Sequence, residues 1–292
     1  MSTPAQPPVA AVRPHRVESP NGTREDPYYW LRDDTRSDPE VLAYLEAENA
    51  WTDAVLAPLK PLQEQIYQEI IGRIRQDDAS VPWHRNGYWY YWRYETGANY
   101  PIHARRKGSM EAPEEILLDV SALAAQHDFY QVGAWDVSPD NRLLAFTEDT
   151  VGRRQFTLRV KDLTTGEMLP DAIPNVEPGV VWAADSRTLL YVAKDPVTLL
   201  GDTVCRHVLG SDPSTDVRVY TQEDDAFYTG VGRTKDDRYL LIVSSSTVST
   251  EYRVAAADDP SLAFRVLLPR ERDHEYQAEH LDGRWILLTN WQ

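Results

Sequence analysis

Asp140-Asn141-Arg142-Leu143-Leu144-Ala145-Phe146 is a turn triplet running straight into an apolar strand, and the chain repeats it. Asp185-Ser186-Arg187 precedes Leu189-Leu190-Tyr191-Val192, and Asp236-Asp237-Arg238 precedes Tyr239-Leu240-Leu241-Ile242-Val243. Asp282-Gly283-Arg284 leads into Trp285-Ile286-Leu287-Leu288, and Asn86-Gly87 before Tyr88-Trp89-Tyr90-Tyr91-Trp92 is a looser copy one unit upstream. The four arginines fall 45, 51 and 46 residues apart. A period of roughly 40–50 residues with about four strands per unit is the mark of β-propeller blades. The unit from Gly133 shows the four: Ala134–Val137, Leu143–Thr147, Phe156–Asp162 and Met168–Ile173. Thr164-Thr165-Gly166-Glu167 makes the hairpin between the last two. A β-sandwich also gives short strands, but not one turn recurring at one interval. The expected blades are 81–120, 133–173, 179–222 and 227–268, with a fifth from Glu275 that has only two strands.

Upstream of residue 79 the texture differs. Residues 1–25 carry Pro4, Pro7, Pro8 and Pro14 and read as a loose arm. Ser37-Asp38-Pro39 is a helix start, a capping side chain followed by proline in the first turn. Val41, Leu42, Tyr44, Leu45, Trp51, Val55 and Leu56 then share one half of a helical wheel. Pro58 and Pro61 are expected to break that helix. A second helix would begin near Pro61, with Leu62, Ile66, Ile70 and Ile74 on one face. So small a helical pair needs a partner surface to bury those faces.

The whole is therefore expected to be mainly β: a partial β-propeller of about four and a half blades over 79–292, preceded by an amphipathic helical segment over 26–78. Trp285–Thr289 would be an apolar strand with an unpaired edge, which native sheets rarely leave exposed. The expectation is that the chain is the leading part of a longer protein.

Charge and composition exclude several classes. The 292 residues hold 30 Lys and Arg against 46 Asp and Glu, a formal charge of −16. Such a surface repels nucleic-acid backbones and anionic lipid, and it attracts basic peptides. No run approaches the roughly 18 apolar residues of a membrane helix, and the amino terminus lacks the apolar core of a signal peptide. One cysteine, Cys205, permits neither an internal disulfide nor a cysteine-built zinc site. A cytoplasmic protein binding neither nucleic acid nor membrane is expected.

Several segments, taken in order, resemble the amino-terminal region of the prolyl oligopeptidase family of serine peptidases. They are Asp26-Pro27-Tyr28-Tyr29-Trp30-Leu31-Arg32-Asp33-Asp34, Tyr44-Leu45-Glu46-Ala47-Glu48-Asn49, Gln68-Glu69-Ile70-Ile71-Gly72-Arg73-Ile74 and Asn86-Gly87-Tyr88-Trp89-Tyr90-Tyr91. Tyr94-Glu95-Thr96-Gly97, Tyr100-Pro101-Ile102-His103 and Arg105-Arg106-Lys107-Gly108 resemble the oligopeptidase B branch, as does His274-Glu275-Tyr276 through Asn290. The resemblance implies a seven-bladed propeller that caps an α/β-hydrolase domain in cis, with the helical segment packed on that domain. It implies cleavage of short basic peptides after Lys or Arg, and a propeller that keeps folded proteins from the nucleophile. In the family, the Ser-Asp-His triad and the pocket for the basic residue lie downstream of the propeller. A nucleophile elbow needs Gly-x-Ser-x-Gly, and no glycine here has serine two positions on. No catalytic, cofactor-binding or metal residue is therefore assigned to this chain, no cofactor is expected, and the chain alone is expected to be inactive.

Other constellations read as structure. His274-Glu275 and Glu279-His280 fail the His-Glu-x-x-His spacing at Ala278 and are expected as solvated ends of a blade turn. Gly230-Val231-Gly232 with Lys235 lacks the helix that a phosphate loop needs. Arg105-Arg106-Lys107 and Arg153-Arg154 are expected to pair with nearby acids. Trp135, Trp182 and Trp285 are expected in blade cores. Cys205, beside Arg206 and His207, is expected buried. Two rivals stand beside the peptidase reading: a non-enzymatic propeller that binds a partner through its faces, and a truncated product without a stable fold.

Overall fold

The computed structural model describes residues 6–291, so the first five residues of the expected arm lie outside the described residues. The chain divides into two compact units, one up to Arg75 and one from Gln76 onward.

In the first unit, β1 (Arg16–Ser19) and β2 (Gly22–Glu25) pair as an antiparallel hairpin. The arm expected to be loose is thus ordered from about residue 11. Trp30 Nε1 donates to the Ala11 carbonyl at 2.8 Å, Arg13 lies over the Trp30 ring at 4.5 Å, and His15 stacks on Tyr29 at 4.1 Å. Arg13 also pairs with Glu40. The proline-rich composition signalled flexibility, and the aromatic cluster at Tyr29 and Trp30 overrides it by giving the arm something to lie on.

Helix α1 (Pro39–Leu56) starts as its sequence directs: Asp38 Oδ1 accepts the Glu40 and Val41 backbone N–H groups, and Pro39 occupies the first turn. As expected, α1 ends ahead of Pro58 and a second helix begins beside Pro61, but no loop separates them. A single 3-10 turn (Ala57–Leu59) joins α1 to α2 (Lys60–Ile71), and the junction residues keep right-handed helical angles. Each proline falls in the first turn of its segment, where an N–H has no partner to lose. Val41 is buried, whereas Leu42, Leu45, Val55, Leu56, Leu62, Ile66 and Ile70 are exposed. The apolar faces are present and uncovered.

The second unit is a series of four-stranded antiparallel blades. Blade 1 is β3 (Trp83–Arg85), β4 (Tyr88–Arg93), β5 (Ile102–Lys107) and β6 (Glu114–Asp119). A short helix, α3 (Val120–Ala124), follows, capped by the Asp119 carboxylate on the Ala122 N–H. Blade 2 is β7 (Gln131–Val137), β8 (Leu143–Asp149), β9 (Phe156–Asp162) and the first half of β10 (Met168–Trp182). Blade 3 takes the second half of β10, then β11 (Thr188–Lys194), β12 (Gly201–Val208) and β13 (Val217–Thr221). Blade 4 is β14 (Tyr228–Arg233), β15 (Tyr239–Ser245), β16 (Thr250–Ala256) and β17 (Arg265–Val266), and β18 (Tyr276–Leu281) pairs with β19 (Arg284–Thr289).

Blades 2 and 3 have no loop between them. Strand β10 pairs with β9 from Met168 to Val176 and with β11 from Val176 to Trp182, with irregular register on both sides of Val176. Asn175 bends the strand at φ 58°, beside Pro174. The sheets do not close on themselves.

The recurrent turn has two forms. At Asp140, Asp185 and Asp236 the carboxylate accepts the N–H of the arginine two positions on, and the residue between them takes a left-handed φ of 55–65°. Asn86-Gly87 and Asp282-Gly283 are instead two-residue hairpins with both residues at positive φ. Arg284 is then the first residue of β19 rather than the last residue of the turn. Asp282-Gly283-Arg284 therefore resembles the other triplets in letters only.

Each blade interface has its own core. Tyr90, Leu117, Leu118, Val137, Leu144 and Phe146 fill the seam between blades 1 and 2. Phe156, Leu158, Ile173, Trp182 and Leu189 fill the next, and Val181, Val192, Val204, Leu240 and Ile242 the third. This explains the inward-facing apolar runs, because a blade buries its faces only against its neighbours.

Candidate functional site

The first strands of blades 1 to 4, namely β3, β7, the end of β10 and β14, surround a cavity of about 570 Å³. Its lining includes Trp83, His84, Arg85, Trp135, Asp136, Arg233, Lys235 and Asp237. Small-molecule sites fall in the range of roughly 300–1,000 Å³.

Four charged side chains cross it. Arg85 donates to Asp136 Oδ1 at 3.1 Å and to Asp237 Oδ1 at 2.9 Å. Arg233 reaches both Asp136 oxygens, at 3.1 and 3.2 Å, and its Nε lies 2.9 Å from Asp237 Oδ1. Blade 3 joins through Trp182, whose backbone N–H donates to Asp136 Oδ2 and whose indole N–H donates to the Asp136 carbonyl. Groups from blades 1, 3 and 4 thus converge on the one carboxylate of blade 2. Burial pushes the Asp136 carboxyl up to about 6, against the pull of Arg85 and the Trp182 amide. The Arg233 side chain is 5% exposed, while Asp237 at 42% faces the opening.

The indoles of Trp83 and Trp135 lie nearly parallel, 6.3 Å apart, and Trp83 also stacks on Tyr90 at 4.6 Å. Trp135, half-buried, packs against the core between blades 1 and 2 and also lines the cavity, whereas Trp182 is fully buried as expected. Trp285 packs beside Tyr239 and His280 at the fifth blade. Gly232 and Lys235 belong to β14 and the turn after it, so the glycine pair serves a strand.

The histidine pair corrects an expectation. His274 and His280 are buried, not solvated. His280 Nδ1 sits 2.6 Å from Asp236 Oδ2 with its ring against Tyr239 and Trp285, and His274 Nε2 meets Thr289 Oγ1 at 3.1 Å. Partners on blade 4 and β19 removed the water that the local sequence suggested. Among the described residues, no group of three or more His, Cys, Asp or Glu is placed to hold a metal ion.

The Arg105-Arg106-Lys107 run pairs with acids at its first two positions. Arg105 meets Glu115 at 2.9 Å and lies over Tyr88, and Arg106 reaches Tyr91 and Glu114. Arg153-Arg154 bends around Asp149, whose Oδ2 accepts the Arg154 N–H at 2.7 Å. Cys205 is buried, and burial pushes its thiol up. Its neighbour His207 is held between Asp171 and Asp216, at 3.0 and 2.8 Å.

Sequence reasoning missed Arg85, Asp136, Arg233 and Asp237 as a group. For Arg85, Asp136 and Arg233 the available signal was a charge near the end of a blade's first strand, just ahead of a recurrent turn, and Asp237 is the middle residue of such a turn.

The residues from 7 to 292 match the family model described as prolyl oligopeptidase, N-terminal beta-propeller domain. A curated relative, dipeptidyl aminopeptidase BI of Pseudoxanthomonas mexicana, is 54% identical over 302 residues, covering 98% of this chain and 42% of the relative. Among solved structures, oligopeptidase B from Leishmania major superposes with a TM-score of 0.90 at 31% identity, over 98% of this chain and 43% of that one. Oligopeptidase B from Trypanosoma brucei, in a closed form with covalently bound antipain, gives 0.87 at 31% identity, over 98% and 42%. The chain thus spans less than half the length of these relatives.

Proposed function

Because the chain belongs to the prolyl oligopeptidase family, as its N-terminal β-propeller domain, we propose that it is the gating part of a serine peptidase that hydrolyses short peptides after Lys or Arg. The reading rests above all on its likeness along nearly its whole length to oligopeptidase B structures. Acyl transfer would be performed by a Ser-Asp-His triad on an α/β-hydrolase domain in cis, since this chain has no Gly-x-Ser-x-Gly. The chain's own contributions are three. Its charge of −16 raises the local concentration of basic peptides and speeds their encounter. In the complete seven-bladed propeller that the resemblance implies, the ion network across the first strands would narrow the central passage, so an unfolded peptide would pass more readily than a folded domain. The uncovered faces of α1 and α2, with Leu62, Ile66 and Ile70 exposed, are the seat for the hydrolase domain. A purely non-enzymatic propeller would have no use for that helical unit. A cytoplasmic site of action fits the absence, among the described residues, of any helix long and apolar enough to cross a membrane.

A second reading has its own observation. The 54%-identical relative is named a dipeptidyl aminopeptidase, which favours release of amino-terminal dipeptides.

Protein expressed from the gene encoding this chain, read to its own stop codon, distinguishes the two. Turnover of an amino-blocked Arg reporter supports cleavage after basic residues; turnover only of reporters with a free amino-terminal dipeptide supports the second reading. Turnover of neither sinks both. The 292-residue chain by itself should leave both reporters at background.

A further inference from the structure

We infer that the cavity between blades 1 and 4 binds a carboxylate carried on an apolar or aromatic stem, of which a peptide's C-terminal residue is the example that fits a peptidase. The inference relies on the peptidase reading only for that choice of ligand.

The cavity is lined by three cations, Arg85, Arg233 and Lys235, against two carboxylates, Asp136 and Asp237. The two guanidiniums are committed to those carboxylates at 2.9–3.2 Å. Lys235, an exposed residue at the rim, is left over: its ammonium has no ion-pair partner among the described residues, and the nearby Glu279 accepts the backbone N–H groups of Lys235 and His280. His84 adds a second basic group on the lining, stacked on Trp89 at 5.0 Å. An excess of positive charge in one concavity is unusual on a chain of charge −16. Small anions repelled elsewhere are focused there, and low-dielectric walls strengthen the attraction.

The walls also select what carries the anion. Trp83 is 45% exposed and faces Trp135 across 6.3 Å, giving an aromatic surface on the same cavity that Lys235 lines. A bare anion would use the lysine and leave the indoles wet. A carboxylate with a side chain next to it would use both. The volume of about 570 Å³ accommodates a ligand of dipeptide size.

The test is calorimetric titration of the 292-residue chain with the dipeptide Ala-Phe as free acid, with its C-terminal amide, and with sodium acetate. The acid should bind saturably, and the amide and acetate about tenfold or more weakly, the scale of one lost charge-assisted hydrogen bond. Lys235→Ala should weaken the acid about tenfold and Lys235→Arg should restore it, with circular dichroism matching the parent chain. Trp83→Leu should weaken the acid and leave acetate unchanged. Equal binding of acid and amide, acetate as tight as the acid, no saturable heat, or indifference to Lys235→Ala would each overturn the site. No bond is cut in this titration, so its failure is separate from failure of the peptidase reading.

Discussion

Arg85 and Asp237 stand 152 residues apart in sequence and 2.9 Å apart in space, closing a link between the first and fourth blades. The same guanidinium reaches Asp136 on the second blade. Charges buried at different depths in one network should respond very differently to substitution. Asp237→Asn removes a partly exposed charge and should cost less than about 1 kcal/mol. Arg233→Ala leaves the buried Asp136 with a single guanidinium and should cost about 3 kcal/mol. Urea midpoints of the two variants, compared with the parent, check this ordering.

The acid range tests Asp136 directly. Its carboxyl lies near 6 when folded, above the ordinary value of 3.8, because burial outweighs the guanidiniums. The folded state then holds the extra proton between those values, so this group's contribution to stability falls as pH rises through them. Arg85 and Arg233 bind it directly, and Asp237, His84 and Lys235 are the other charged or titratable groups around it. The parent chain should therefore lose stability relative to Asp136→Asn between pH 4 and 6, by on the order of 3 kcal/mol. Parallel urea titrations of both proteins across that range measure it, and a flat difference would contradict it.

Gly133 should tolerate no side chain. A Cβ there would stand 2.6 Å from Thr147 Oγ1, 2.7 Å from Pro178 Cβ and 2.9 Å from Phe156 Cε1. Gly133→Ala should destabilise the chain by about 1–3 kcal/mol, the usual cost of overfilling a packed site. Gly230→Ala has nothing within 4 Å and serves as the control in thermal unfolding.

Asp33, half-buried just ahead of α1, should titrate unusually low. Backbone N–H groups of Asp38, Ser37 and Thr35 and the Thr35 hydroxyl all point at its carboxylate, which brings it down to about 2. Its stabilising effect is complete above the ordinary carboxylate value and is lost as pH falls toward 2. Carboxyl resonances followed by NMR should show a midpoint near that value, and Thr35→Val should raise it.

The exposed helical face should be silent in this chain. Ile66→Glu and Ile70→Glu should change its stability by less than about 0.5 kcal/mol, since both side chains already face water. A marked loss in urea unfolding would mean that the face is covered within the chain.

The blades were legible because their cause is local and repeats: an apolar run after a fixed turn every 45 to 51 residues. The helix start at Asp38 was legible for the same reason, a capping side chain three residues ahead of the apolar stripe. What escaped depended on partners far along the chain. His280 was expected in water until Asp236 and Trp285 enclosed it, and the cavity that Trp135 lines in addition to its core contact was not foreseen. The four-charge network joins residues 85, 136, 233 and 237, a grouping that no short window of sequence contains. The arm from Ala11 to Glu25 misled by composition: its prolines lower helix and sheet propensity, yet the β1–β2 hairpin, the Arg13–Glu40 pair and the Tyr29 and Trp30 rings together hold it.

Strand β10 carries one continuous backbone through the second and third blades, where its neighbours are separated by loops. Those two blades share hydrogen-bonded main chain as well as a side-chain seam, so they are expected to open and unfold together. Any widening of the cavity between the first strands would then fall to the remaining seams, beside the first blade or beside the fourth. These are the same seams that Arg85 and Arg233 span with side chains alone.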